Sequence, residues 1–366
     1  MTIHAGKLER YLGGDQIAAL QSNMIGWYGP PIAVARVPGR VHVRADGDFS
    51  GVLREGRYSN LVDRSVESYL RAMRRNAAKM SAGFTSFSDL ISEASAGAKR
   101  REFQFFKSGA TGVVAATNSL WGLGASPAAG AAGSAAPGGR ACSSATTGAF
   151  PFTDPTGGDT QHFVTGYPTA SVAGNTLLLY DRLFDVAKTI NSTATESVTG
   201  VPTRYQSSTT TAADYAGGNF IFVETDVTAL AATAHNWTVC KYRNQAGTDS
   251  QTMPSLTGNA SNIARRLDHP TSQWFAPLAT GDTGAMDLDQ MQCSALVATG
   301  TINFVIGHPI AWLPCPIINM ACITDGLNSA FNLSRVMDGA CLAFLETTKP
   351  STTATTYSGS FTTVAG

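Results

Sequence analysis

The stretch TINFVIG (301–307) places Ile302, Phe304 and Ile306 at every second position. A period of two puts those side chains on one face of an extended chain, as one side of a packed sheet demands. The same grammar recurs from about residue 141 onward, in short apolar runs rich in β-branched and aromatic residues and separated by Gly, Asn, Asp, Thr and Pro. TLLLYDRLFDVAKTI (176–190), NFIFVET (219–225), NWTVCKYR (236–243), CSALVA (293–298), INMACI (318–323) and CLAFLE (341–346) are the other candidate strands, and Asn244-Gln245-Ala246-Gly247 supplies a turn. Many strands at short spacing, without long helices between them, predict a mainly β fold with an antiparallel sandwich or jelly-roll-like body over 141–366. No internal repeat is visible.

The preceding residues read differently. Residues 1–84 are expected to form a basic N-terminal arm: a short helical stretch (LERYL, QIAALQSNM) broken at Gly29-Pro30-Pro31, then a basic hairpin over 31–54 about Pro38-Gly39. From Asn60, with Asp63 three residues on, Val62, Val66, Leu70, Met73, Ala77 and Met80 follow helical spacing, which predicts a helix over 60–80. Arg64, Arg71, Arg74, Arg75 and Lys79 lie mostly off that stripe and give it a basic face, suited to a phosphate backbone, an acidic partner or solvent. Residues 85–140 hold a second, shorter helix capped by Ser86 and stopped by Gly97, then the aromatic segment KRREFQFFK, then GLGASPAAGAAGSAAPGGR (122–140). The last tract has the composition of a flexible linker, and ordering it is expected to need contacts with neighbouring subunits.

Composition narrows the classes of function. Of 366 residues, 43% are hydrophobic and only 14% charged, a thin charged coat for a solitary soluble chain, so something else is expected to cover the surface. A formal net charge of +0 argues against a nucleic-acid binder that relies on net positive charge. Residues 1–110, however, carry 16 Lys/Arg against 10 Asp/Glu, leaving 10 and 16 for 111–366. A basic N-terminal part on an acidic remainder fits contact of one end with nucleic acid or with an acidic neighbour, and also chance placement of surface charge. No signal pattern opens the chain and no apolar window approaches membrane-spanning length, so neither secretion nor a membrane partner is expected, and assembly is expected in a cytoplasm.

The search for chemistry returns little. Cys142, Cys240, Cys293, Cys315, Cys322 and Cys341 show no CxxC pair; buried free thiols are the default, with disulfides left open. His4, His42, His162, His235, His269 and His308 are scattered without metal-ligand spacing, and neither a phosphate-binding GxxxxGK[ST] loop nor a GxSxG elbow is present. Asp282-Thr283-Gly284 has the form of an aspartic-protease turn, but that chemistry needs a second carboxylate sharing a proton, and the chain has one such tripeptide. The plainer reading is a turn in which Asp282 caps backbone amides. N-x-[ST] sequons at Asn191, Asn236, Asn259 and Asn332 are chance matches in a Ser/Thr-rich chain, and Trp27, Trp121, Trp237, Trp274 and Trp312 read as core anchors before a sugar-stacking face. No catalytic, cofactor-binding or metal-binding residue is expected, and the chain is not expected to be an enzyme.

Several stretches resemble a widespread group of structural proteins encoded by tailed phages: FQFFKSGATGVVAATNSLW (103–121), ASPAAGAAGSAAPGG (125–139), ATTGAFPFTDPTGGDTQHF (145–163), GNTLLLYDRLFDVAKTINSTATESVTGVPTRY (174–205), FAPLATGDTGAMDL (275–288) and VMDGACLAFLE (336–346). The resemblance covers most of 86–366, with 1–84 an extension beyond it, and implies a virion protein with no catalytic residues to transfer. A capsid shell subunit is the expected role. Its partners would be copies of itself in a large homo-oligomer, other virion proteins, and packaged DNA through the basic N-terminal part. A cement, decoration or tail protein, a carbohydrate-binding sandwich of an adsorption apparatus, and a D-T-G enzyme are the alternatives; the alternative fold is the α+β tailed-phage capsid fold.

Overall fold

The computed structural model describes residues 84, 86–96, 99–156, 159–206, 218–327, 333–347 and 349–366. The arm, hairpin and 60–80 helix expected in the N-terminal part lie outside them. The described residues are mainly β, and every pairing between their named strands is antiparallel. Nine strands have six residues or more: β1 Arg100–Ala110, β2 Gln161–Ala170, β3 Asn175–Lys188, β4 Phe220–Thr225, β5 Asn236–Asn244, β6 Ala285–Cys293, β7 Ile302–Cys315, β8 Leu342–Thr347 and β9 Thr355–Ala365. Helix α1, Phe87–Ala96, is the one helix among the described residues, so they do not build the mixed α/β body of the alternative fold. Its cap is the expected one: Asp89 N donates to Ser86 Oγ at 3.1 Å, and Leu90 turns inward onto Phe84 and Val364.

The central sheet runs β8-β3-β7-β4 and is the wall on which everything else is built. One outer sheet, β2-β9-β1, packs over one half of its face, where Leu177, Leu179, Ile310 and Leu313 meet Phe103, Phe105, Phe163 and Phe361. The other, β5-β6, packs over the remaining half, where Val186, Ile302, Phe304 and Ile306 meet Trp237, Tyr242, Leu288 and Met291. Two bulges let the two long strands serve both cores. Leu183 has no partner between the pairs Arg182↔Gly307 and Phe184↔Ile306, and Ile310 none between Pro309↔Tyr180 and Ala311↔Leu179. Each extra residue reverses the alternation, so odd-numbered Leu179 and even-numbered Val186 end on the same face. Pro309 and Pro314 are tolerated in β7 because β4 pairs with it only over 302–307, leaving one side of the strand without a ladder beyond.

Segment 99–107 is part of this body. Its alternation buries Phe103, Phe105 and Lys107, and β1 pairs with β9 nearly along its length. Two expected strands are not formed. Only Cys293 of 293–298 belongs to one; Val297 is buried while Leu296 is exposed, as in a packed loop. INMACI (318–323) is a loop whose apolar side chains face outward.

The Gly/Ala tract is held by its own chain, which corrects the expectation that neighbours are needed. Lys107 Nζ donates to the carbonyls of Leu123 and Pro127, both at 2.7 Å, Trp121 Nε1 donates to Ala131 O at 2.9 Å, and Ala187 N donates to Ser134 O at 2.7 Å. Its small residues serve close approach: a Cβ at Gly130 would fall 2.1 Å from the Trp121 ring, and one at Gly133 would fall 2.2 Å from Asn303 Oδ1.

Candidate functional site

Four buried polar clusters stand out among the described residues. At the junction of the two cores Arg204 grips Asp181 through Nε (2.8 Å) and Nη2 (2.7 Å), while Cys341 N donates to Asp181 Oδ1 at 2.8 Å. Beside it the His308 ring stacks on Tyr205 at 4.0 Å, and burial lowers its pKa to about 3. On the reverse face of the central sheet Arg182 donates to Glu224 Oε1 (2.5 Å) and Asp185 Oδ2 (3.0 Å), Arg140 donates to the same Asp185 oxygen at 2.6 Å, and the Arg182 guanidinium lies 4.8 Å from the Trp121 ring centre. Removing one partner of such a buried pair leaves an uncompensated charge in the core.

The third cluster centres on Asp268. Its Oδ2 accepts from His235 Nε2 (2.8 Å) and Trp237 Nε1 (2.9 Å), and its Oδ1 accepts from Asn259 N (2.7 Å). Burial opposes a charge on His235, but the hydrogen bonds to Asp268 and to the Thr233 carbonyl outweigh it and raise the imidazole pKa. His269 behaves oppositely: its Nε2 accepts from Val223 N at 2.8 Å, and burial lowers its pKa to about 4.

In the fourth cluster Glu346 Oε1 accepts from Lys349 Nζ at 3.0 Å and from the Tyr357 hydroxyl, and Oε2 accepts from Asn118 Nδ2 at 3.0 Å. Lys349 Nζ also reaches Ala110 O and Thr355 Oγ1, both at 2.8 Å. Burial and the adjoining Glu346 push the Tyr357 phenol far up, so it stays a donor.

The D-T-G turn is structural in its contacts. Asp282 accepts from the Tyr242 hydroxyl (2.5 Å) and Asn244 Nδ2 (2.9 Å), side-chain donors where backbone amides were expected. The turn Asn244–Gly247 closes as read, with Gly247 N on Asn244 O at 2.9 Å. The six cysteines are free, and among the described residues no three His, Cys, Asp or Glu side chains gather as metal ligands. Trp121 and Trp237 are core anchors, while Trp274 and Trp312 meet edge to face at 5.3 Å and are half-buried. His4, His42 and Trp27 lie outside the described residues.

No family model, curated protein or solved structure matches the chain. The surface therefore has to speak through its own chemistry.

Its most distinctive feature is the loop Pro316–Ile323. Ile317, Ile318, Met320 and Ile323 are 51%, 55%, 57% and 64% exposed, so more than half of each side chain is open to water. The backbone beneath them is fixed along the edge of β2: Asn319 N donates to Ala170 O at 2.8 Å and Cys322 N donates to Pro168 O at 3.4 Å. Half-exposed Tyr167 on β2 extends the same edge. No sequence rule separated this run from a buried strand, because apolar composition alone does not say which side will be covered. Two shallow clefts are each about 240 Å³, and one of them is lined by Phe220, Trp274, Phe275 and Asp282.

Proposed function

We propose that this chain is a self-assembling structural subunit of a tailed-phage virion, with a capsid shell protein the role that fits best. The observation that carries the reading is the apolar edge at 316–323. Four large apolar side chains sit on a backbone already hydrogen-bonded in place, so a partner could bury them at little ordering cost. A second copy is the natural occupant for a chain with only 14% charged residues, many of which are spent on internal ion pairs. The tailed-phage resemblance of 103–121, 174–205 and 336–346 supports the virion setting, and the basic N-terminal part supports a side turned toward packaged DNA.

Sedimentation velocity of the wild-type chain and of the Ile318→Asp, Met320→Asp double variant tests the edge. Both positions are exposed, so the variant should keep its fold and shift to smaller species. Equal sedimentation of the two proteins would refute the assignment of this edge. A second reading, a carbohydrate-binding sandwich of an adsorption apparatus, draws on the cleft lined by Trp274 and half-exposed Phe275. Glycan-array binding lost in Trp274→Ala would favour it, and an array without binding would end it.

A further inference from the structure

The Glu346 cluster brings an amine, a carboxamide and a carboxylate together out of water. Lys349 and Asn118 are each 1% exposed and Glu346 is 0% exposed. The carboxylate touches both neighbours at once, Lys349 Nζ on one oxygen and Asn118 Nδ2 on the other, each at 3.0 Å. The space at Gly112 shows how closely the two side chains converge. A Cβ there would lie 2.6 Å from Asn118 Nδ2 and 2.7 Å from Lys349 Cδ.

Backbone contacts hold the partners in place. Ala115 N donates to Lys349 O at 2.7 Å, Lys349 N donates to Ala116 O at 3.0 Å, and Asn118 pairs across the sheet with Glu346. Asn118 Oδ1, by contrast, has no hydrogen-bond partner among the described residues. An ion pair between Lys349 and Glu346 would be complete without Asn118, so the buried carboxamide with an idle carbonyl asks for another role.

We propose that Lys349 Nζ and the side-chain carbonyl carbon of Asn118 join in an intramolecular isopeptide bond, formed by the folded chain itself. The step balances without oxidant, reductant or co-reactant. Lys349 passes one ammonium proton to Glu346, and the freed lone pair attacks Asn118 Cγ as the carbonyl π pair moves onto Oδ1. The new N–C bond forms, a second Nζ proton passes to the departing nitrogen, and the old C–N bond breaks. Ammonia leaves and takes the Glu346 proton with it as ammonium. Asn118 Nδ2 already stands on Glu346 Oε2 at 3.0 Å, so the carboxyl that takes up the Lys349 proton lies beside the nitrogen that leaves with it. A buried site that seats the amine and the carboxamide on one carboxylate supplies the rest of the acceleration. The bond would tie Asn118, paired with β8 of the central sheet, to the segment that leads into β9 of the outer sheet. It does not depend on the assembly reading.

Mass spectrometry of the purified full chain, denatured before analysis, tests the bond. The expected intact mass falls short of the sequence mass by one ammonia. Trypsin should release peptides 108–140 and 336–366 as one joined species, since Lys349 precedes Pro350 and is a poor cleavage site. Glu346→Gln and Lys349→Arg should each restore the full mass and two separate peptides. Separate peptides at full mass from the folded wild-type chain would overturn the proposal. Ammonia loss confined to 108–140 would do so too, since it would mark a succinimide at Asn118. Joined peptides from Glu346→Gln would remove Glu346 from the mechanism.

Discussion

Acidification from about pH 8 to about pH 5 should weaken the fold, and His269 carries a separable share of the loss beside the likewise buried His308. The imidazole is 1% exposed, and its Nε2 is occupied as the acceptor of the Val223 N–H at 2.8 Å. Protonating that nitrogen breaks the bond and places a charge in the core. Burial accordingly lowers the folded pKa to about 4 from an ordinary value of 6.5, against a smaller opposing pull from Asp268. The sign follows directly: the unfolded chain takes up the proton first, so the contribution is whole above the unfolded pKa and drains as pH falls toward the folded one. At about pH 5 the unfolded imidazole is almost fully protonated and the folded one is mostly neutral, which removes ~2 kcal/mol. Denaturant unfolding of wild type and His269→Gln at both pH values isolates the effect, because glutamine can still accept from Val223 N and every other ionisation is shared. Wild type should lose ~2 kcal/mol more than the variant over this interval. Equal losses would refute the assignment of the neutral, accepting tautomer.

Other consequences are as direct. Gly130→Ala drives a methyl into the Trp121 ring and should cost about 1–3 kcal/mol as overpacking, read as a lower denaturation midpoint with an unchanged slope. Arg204→Met strands the Asp181 carboxylate, which is 0% exposed, and should cost about 3–5 kcal/mol; adding Asp181→Leu should recover much of that loss, since the uncompensated charge is the main penalty.

The sequence made the strand body legible because alternation leaves a mark wherever one face is buried. Ile302, Phe304 and Ile306 are the plainest case, and all three lie in the core on the β5-β6 side. The bulges at Leu183 and Ile310 were not legible, since a strand buried on both faces reads as an unbroken apolar run. The Gly/Ala tract misled for a related reason. Small residues permit either flexibility or close packing, and only the position of Trp121 against Gly130 decides between them. The Glu346 cluster was out of reach because Asn118 and Lys349 are far apart in sequence and meet only through sheet pairing and the Lys349 backbone contacts. A buried Lys three residues after a buried Glu, at the end of an apolar strand, was the one local hint.

Electron microscopy of the purified chain, expressed alone and followed over concentration and salt, tests the assembly claim most directly. The account predicts closed shells or other regular multimeric particles, lost when Ile318 and Met320 are both replaced by Asp. A chain that stays monomeric under every condition would contradict it.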